Sequence, residues 1–384
     1  MIADCEEEGL IVHRIRHILL LCLLCWCPLA ALPAAQAAIS THAQPHAKIA
    51  QTRRAASPSC SNDPTIGSKV WTVAISDTLA YLADNQALTI LDVSNPARPF
   101  CRSHLALPPN SSVAAIEVSG AYAYVALYNF NNTDVALQIV DVHDPDNPSL
   151  LGSYQGAFAG DLAVVGNRVY LSVSLNLHII DVSNPAAPAL LGTYTLGSVG
   201  HVRVVGNRLY FTENAYGFGI LDLTDPIHPV RLGGFYEGTI TYYGFSVSGD
   251  RVYMIRPGNG IEVLDVSNPN NPIKIGTYTN IPDGNMGTFG IQVIGNTLYI
   301  AGAKFEIYDV SSPTAAVRIG SCDPPGLSIN LRVVDNLAYS ANPAGVGDYG
   351  LEIVDISNHT NPFLRGWFVN GNSGRFFYMP GIQR

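Results

Sequence analysis

Beyond residue 69 the chain is a succession of short stretches in which apolar side chains recur at every second position, broken by Gly, Asn, Asp and Pro. Alternation of that kind is the mark of a strand with one side-chain row on each face of a sheet. Between many of these runs stands Gly-Asn or Gly-Asp, as at Gly166-Asn167, Gly206-Asn207 and Gly249-Asp250. Such pairs signal tight hairpins, because the turn needs positive φ. Over residues 162–195 the pattern predicts four strands, roughly Leu162–Val165, Arg168–Val173, Leu177–Val182 and Ala189–Thr195. No stretch after the N-terminal region keeps a helical period, so the predicted class is all-β.

The same four-strand pattern then returns along the chain. The segment ALTILDVSNPARP is followed by ALQIVDVHDPDNP, NLHIIDVSNPAAP, FGILDLTDPIHP, GIEVLDVSNPNNP, KFEIYDVSSPTAA and GLEIVDISNHTNP. Their shared aspartates are Asp92, Asp141, Asp181, Asp222, Asp265, Asp309 and Asp355, spaced 49, 40, 41, 43, 44 and 46 residues apart. A tyrosine repeats in step: Tyr81, Tyr124, Tyr170, Tyr210, Tyr253, Tyr299 and Tyr339, each four residues after a turn Gly or Asp. Repeats of this length match one propeller blade. A single such sheet is apolar on both faces and cannot bury them alone; stacking sheets around an axis covers both. The expectation is a seven-bladed β-propeller of four-stranded antiparallel blades over residues 69–384. Two segments are candidates for a latch that closes the ring: Arg375 to Met379, and the region around Cys60.

These motifs resemble the LVIVD-repeat family, whose signature ends in Asp-(Val/Ile)-Ser-(Asn/Asp)-Pro-x-x-Pro. The resemblance covers about residues 69 to 368 and implies a β-propeller, common in exported or surface proteins, with no defined reaction. The sixth copy departs from the signature at Ser311 to Ala316, and in the seventh His359 replaces the first proline. Both departures are expected to alter local turns only.

The N-terminus changes the picture of where the chain works. A basic segment with Arg14 and Arg16 precedes an apolar run from Ile18 to Leu32, and Ala35-Gln36-Ala37 has the form of a cleavage site. That run is short for a membrane span, which takes about 20 residues. Residues 1–38 read as an export signal, with a retained anchor as the alternative, and 39–68 as a polar linker. The mature chain is then expected to be secreted or held at the cell surface, with no transmembrane span. Three cysteines stay with it, Cys60, Cys101 and Cys322. An oxidising compartment permits one disulfide, taken as Cys60–Cys101, and one odd thiol. The formal charge is −9 with no basic stripe, which argues against nucleic acid as a partner.

Features present in every copy read as architecture. The seven aspartates are expected to accept backbone N–H bonds and fix the turns that follow them. The tyrosines are expected on half-buried strands with their hydroxyls near solvent. Function is sought where the copies differ. Register along the first and second strands of each repeat brings Asp161, His201, Glu213, Arg256 and Asn330 to one rim face, with Trp71, Tyr216, Tyr243 and Phe289 as possible aromatic surface. The primary expectation is a binding or scaffold module whose rim meets a protein or a glycan at the cell surface. The alternative is a metal-assisted hydrolase or lyase using the central pocket, with His201 and Asp161 near a common point. Neither a phosphate-loop Lys nor a Gly-x-Ser-x-Gly elbow is present. No catalytic residue, metal ligand or cofactor is assigned.

Overall fold

Seven positions that the sequence marks as hairpin turns have the backbone such turns demand. In the computed structural model, Asp77, Gly120, Gly166, Gly206, Gly249, Gly295 and Asp335 all have φ between 50° and 62°. The structure describes residues 70–368 apart from 85–86, 110–111, 130–133, 198, 214–216, 239, 282–289, 325 and 343–349. Each hairpin belongs to a sheet of four consecutive antiparallel strands, and there are seven such sheets among the described residues.

Blade 1 comprises β1 (Thr72–Ser76), β2 (Leu79–Ala83), β3 (Ala87–Asp92) and β4 (Phe100–Ala106). Blade 2 has β5 (Ser112–Ser119), β6 (Tyr122–Tyr128), β7 (Val135–Asp141) and β8 (Ser149–Gln155). Blade 3 has β9 (Ala159–Val165), β10 (Arg168–Val173), β11 (Asn176–Asp181) and β12 (Ala189–Thr195), within a few residues of the strands predicted from the sequence. Blade 4 has β13 (Val199–Val205), β14 (Arg208–Glu213), β15 (Gly217–Asp222) and β16 (Val230–Phe235). Blade 5 has β17 (Phe245–Ser248), β18 (Arg251–Arg256), β19 (Gly260–Asp265) and β20 (Ile273–Tyr278). Blade 6 has β21 (Gly290–Ile294), β22 (Thr297–Ala301), β23 (Phe305–Ser312) and β24 (Ala315–Cys322). Blade 7 has β25 (Asn330–Val334), β26 (Leu337–Ala341), β27 (Leu351–Asp355) and β28 (Phe363–Phe368).

The core is divided as the blades are. Seven apolar clusters form, and each joins one blade to the next. The last of them joins blade 7 to blade 1, through Tyr339, Leu351 and Ile353 against Val73, Leu82 and Leu91. The ring therefore closes on side-chain packing among the described residues, with no strand exchanged between its ends. Both expected latch segments lie outside the described residues. Cys101 is in a disulfide and Cys322 is a free thiol, while Cys60 lies outside the described residues.

The repeated motif acts as the sequence suggests. Each of the seven aspartates accepts the backbone N–H two residues on, at 2.8–3.0 Å. The tyrosines differ from expectation. All seven are 1–5% exposed, because the neighbouring blade covers the whole ring. A further repeat is the glycine of the outer strand, such as Gly233, where a β-carbon would come within 2.5 Å of the Pro269 carbonyl of the next blade. Blade 1 has Ser103 there, and its hydroxyl donates to the Pro145 carbonyl instead, at 2.7 Å.

Candidate functional site

The innermost strand of each blade pairs on one side only, so alternate N–H groups face the axis with no strand to accept them. Buried backbone donors left unpaired are costly. In five blades a side chain of the preceding blade takes one of them up. Glu117 accepts Val164 N–H at 2.5 Å, Ser246 accepts Val293 N–H at 2.9 Å, and Gln292 accepts Val333 N–H at 2.9 Å. Two of the expected rim residues belong to this device. Asp161 accepts Val202 N–H at 3.1 Å, and Asn330 accepts Val73 N–H at 3.4 Å across the seam between blades 7 and 1.

Asp161 and His201 are brought together. Each sits beside a register shift between the first two strands of its blade, and a hydroxyl of the second strand holds its backbone. Asp161 N–H donates to Ser172 at 2.7 Å, and His201 N–H to Thr212 at 2.9 Å. The imidazole Nδ1 of His201 lies 3.5 Å from the Asp161 carboxylate; the histidine side chain is 41% exposed, the aspartate 8%. Arg203 adds a 3.1 Å ion pair to the same oxygen. Burial pushes the Asp161 carboxyl up, but Arg203, His201 and the Val202 N–H more than offset it and hold it down to about 2.

The other expected residues have partners of their own. Glu213 ends β14 and pairs with Arg231 of the same blade at 3.0 Å. Arg256 ends β18 and joins a closed network: it bonds the fully buried Glu262 and pairs with Glu237 at 2.9 Å. Lys274 pairs with Glu237 at 2.7 Å and with Glu262 at 3.4 Å, and Tyr242 donates to Glu262 at 2.7 Å. Of the expected aromatic surface, Trp71 is exposed and Tyr243 half-buried; Tyr216 and Phe289 lie outside the described residues. Sequence reasoning passed over Glu117, Arg203 and Arg332, which vary from blade to blade at one register of the first strand while their apolar neighbours repeat. That contrast was the signal for them.

For the alternative of a metal-assisted reaction, Asp161 and His201 do approach one another. The oxygens of Asp161, however, already accept the N–H groups of Leu162 and Val202 and the Arg203 guanidinium. Among the described residues no three His, Cys, Asp or Glu side chains group to hold a metal ion. No helix of the described residues is long and apolar enough to cross a membrane.

The two faces of the ring differ in a way that strand order makes visible. On one face the first two strands are always joined by two residues, and the third and fourth by seven residues in every blade but the sixth. On the other face the second and third strands are joined by two to nine residues, and consecutive blades by three to eleven. His201 and Asp161 begin their strands on this second, variable face.

In fold the chain is similar to BamB from Moraxella catarrhalis, with a TM-score of 0.54 and 16% identity over 76% of this chain and 84% of that one. It is also similar to a functionally unknown protein from Desulfotomaculum acetoxidans, with a TM-score of 0.60, 12% identity, and 78% and 98% of the two chains covered. A hypothetical selenium-binding protein from Sulfolobus tokodaii gives a TM-score of 0.57 at 13% identity, covering 77% and 92%. At these identities the likeness is one of fold alone. No curated protein matches in sequence. The LVIVD repeat pattern matches residues 67–103, 112–156, 157–195, 244–280, 288–324 and 326–369, which is more than half of the sequence and six of the seven blades. The chain belongs to the LVIVD-repeat family.

Proposed function

We propose that this protein is an exported binding or scaffold module, and that a protein or glycan at the cell surface docks on the variable face of the ring. One observation carries the reading: differences in loop length gather on one face, while the opposite face keeps nearly constant connections. A rigid frame with varied loops at one end is how many folds present a binding surface. His201 suits such a surface, since a buried, ion-paired Asp161 fixes the ring from behind while its outer edge meets solvent. Export is supported by the character of residues 1–38 and by the disulfide at Cys101, which suits an oxidising compartment.

The test compares His201→Ala with His228→Ala, whose side chain is 81% exposed on the opposite face. Purified chains are applied to a glycan array and crosslinked to intact envelopes of the producing cell. The expected result is a binding signal that His201→Ala weakens at least tenfold and His228→Ala leaves unchanged, with melting temperatures equal. Signals that survive both substitutions equally, or no signal in either assay, end the reading.

A further inference from the structure

Two residues beyond Asp161 and His201 in register, the inner strands place a second row of side chains on the axis. It consists of Glu117, Arg203, Ser246, Gln292 and Arg332, and the two remaining blades have alanine there. Glu117, Ser246 and Gln292 are committed to backbone N–H groups of the next blade. The two arginines break that pattern. Each bends back so that one nitrogen donates to the carbonyl of the residue before it: Arg203 to Val202 at 2.7 Å, Arg332 to Leu331 at 3.0 Å. Arg203 has Asp161 as a further partner. For Arg332 the Leu331 bond is the one hydrogen bond of its head group among the described residues.

A guanidinium has five N–H donors in a fixed fork. Arg332 is enclosed by protein yet only half-buried by surface, and its remaining donors have no hydrogen-bond partner among the described residues. Blade 7 stands across the ring from blades 3 and 4, and the charge of Arg332 is felt by Arg203, Asp161 and Glu117. Burial, and then repulsion from Arg203, pull Arg332 down to about 10. Two cations held near each other with unused donors form a natural seat for an oxyanion.

We propose that the axis of the ring holds a small oxyanion, a carboxylate or a phosphate, between Arg203 and Arg332. The alternative is that the nearby acids already neutralise them. The hydrogen bonds of Asp161 go to Arg203 and to backbone, so it offers Arg332 its charge at a distance but no direct bond. Glu117 bonds Val164 N–H, and burial pushes its carboxyl up. The charged groups facing Arg332 are therefore Glu117 of blade 2, Asp161 of blade 3 and Arg203 of blade 4. Protonation of Glu117, whose carboxyl burial already pushes up, makes the axis more positive, so binding tightens as pH falls. This seat is independent of any macromolecule at the rim.

The test is titration calorimetry of the full mature chain with inorganic phosphate and, separately, with succinate. Saturable binding of one or both is expected, tighter at low pH, and the two arms tell which oxyanion the seat prefers. Arg332→Gln is expected to abolish it. Glu117→Gln, which removes a nearby negative charge but keeps a hydrogen-bonding oxygen for Val164, is expected to tighten it about tenfold. A residue that merely braces the strands would leave anion affinity unmoved in Glu117→Gln, so this variant decides the matter even if Arg332→Gln fails to fold. Absence of saturable binding with both probes, or unchanged affinity in Glu117→Gln, overturns the proposal.

Discussion

Blades 4 and 5 use the same three register positions to opposite effect. In blade 5 the third strand carries Glu262, fully buried, with Arg256 at the end of the second strand and Lys274 on the fourth closing around it. In blade 4 the third strand has Gly219, and the space is filled from outside. A β-carbon there would collide with the Phe211 ring and come within 2.9 Å of Arg231. The guanidinium of Arg231 lies 5.3 Å from the Phe211 ring centre and 5.5 Å from that of Tyr236, and pairs with Glu213 at the end of the second strand. The acid and the base have exchanged places at that strand end. Blade 4 is also the blade outside the matched repeat ranges. The frame thus dictates where a polar group can sit inside a blade, and leaves open which strand supplies it so long as its charge is answered.

The largest effect that follows is in blade 5. Arg256→Ala strands a fully buried carboxylate with a 3.4 Å lysine and a tyrosine hydroxyl, and is expected to lower stability by about 3 kcal/mol. Glu213→Ala in blade 4 leaves Arg231, a third of whose side chain already meets water, and is expected to lower it by about 1 kcal/mol. Urea unfolding of the two variants side by side checks this; equal losses would erase the distinction between the blades.

Next in size is Gly219→Ala, which forces the Phe211 ring and Arg231 aside and is expected to remove about 2 kcal/mol. A neutral result would mean that these side chains do not pack on the glycine as described.

Blade 7 supplies the third and smallest test, because Glu352 is an acid at the blade 5 position with no base to answer it among the described residues. Ser328 donates to it at 2.8 Å and Ser340 at 3.4 Å, yet burial keeps its carboxyl above the usual 4.5. A folded value above the unfolded one means that the charged form is penalised in the fold. The penalty is fully present above the folded value, fades as pH falls from there toward about 4.5, and is gone below it. Glu352→Gln is therefore expected to raise the melting temperature by a few degrees at pH 7 and to leave it unchanged near pH 4. An equal rise at both values would refute the burial argument.

Repetition made the frame legible. Seven aspartates, seven tyrosines and seven turn positions each do one job in every blade, and the sequence displays each set in phase. The tyrosines were misjudged in one respect, since a strand read alone shows half its surface to water and the adjoining blade removes that half. The candidate site was harder to read for a related reason. Asp161 appears along its own strand as a polar exception, while its decisive partners, Val202 and Arg203, belong to the next blade. Arg332 and Glu117 are brought near one another only by closure of the ring, and no local pattern encodes that approach.

Each blade is cut from one unbroken stretch of chain, and the junction of the last with the first is packed like the others, with Gly366 lying against the Pro96 carbonyl as Gly233 lies against that of Pro269. Loss or duplication of a whole copy would alter the circumference without orphaning a strand. Such an architecture lets a lineage widen or narrow its rings by recombination between copies, and then tune the axial opening through single substitutions on the innermost strands.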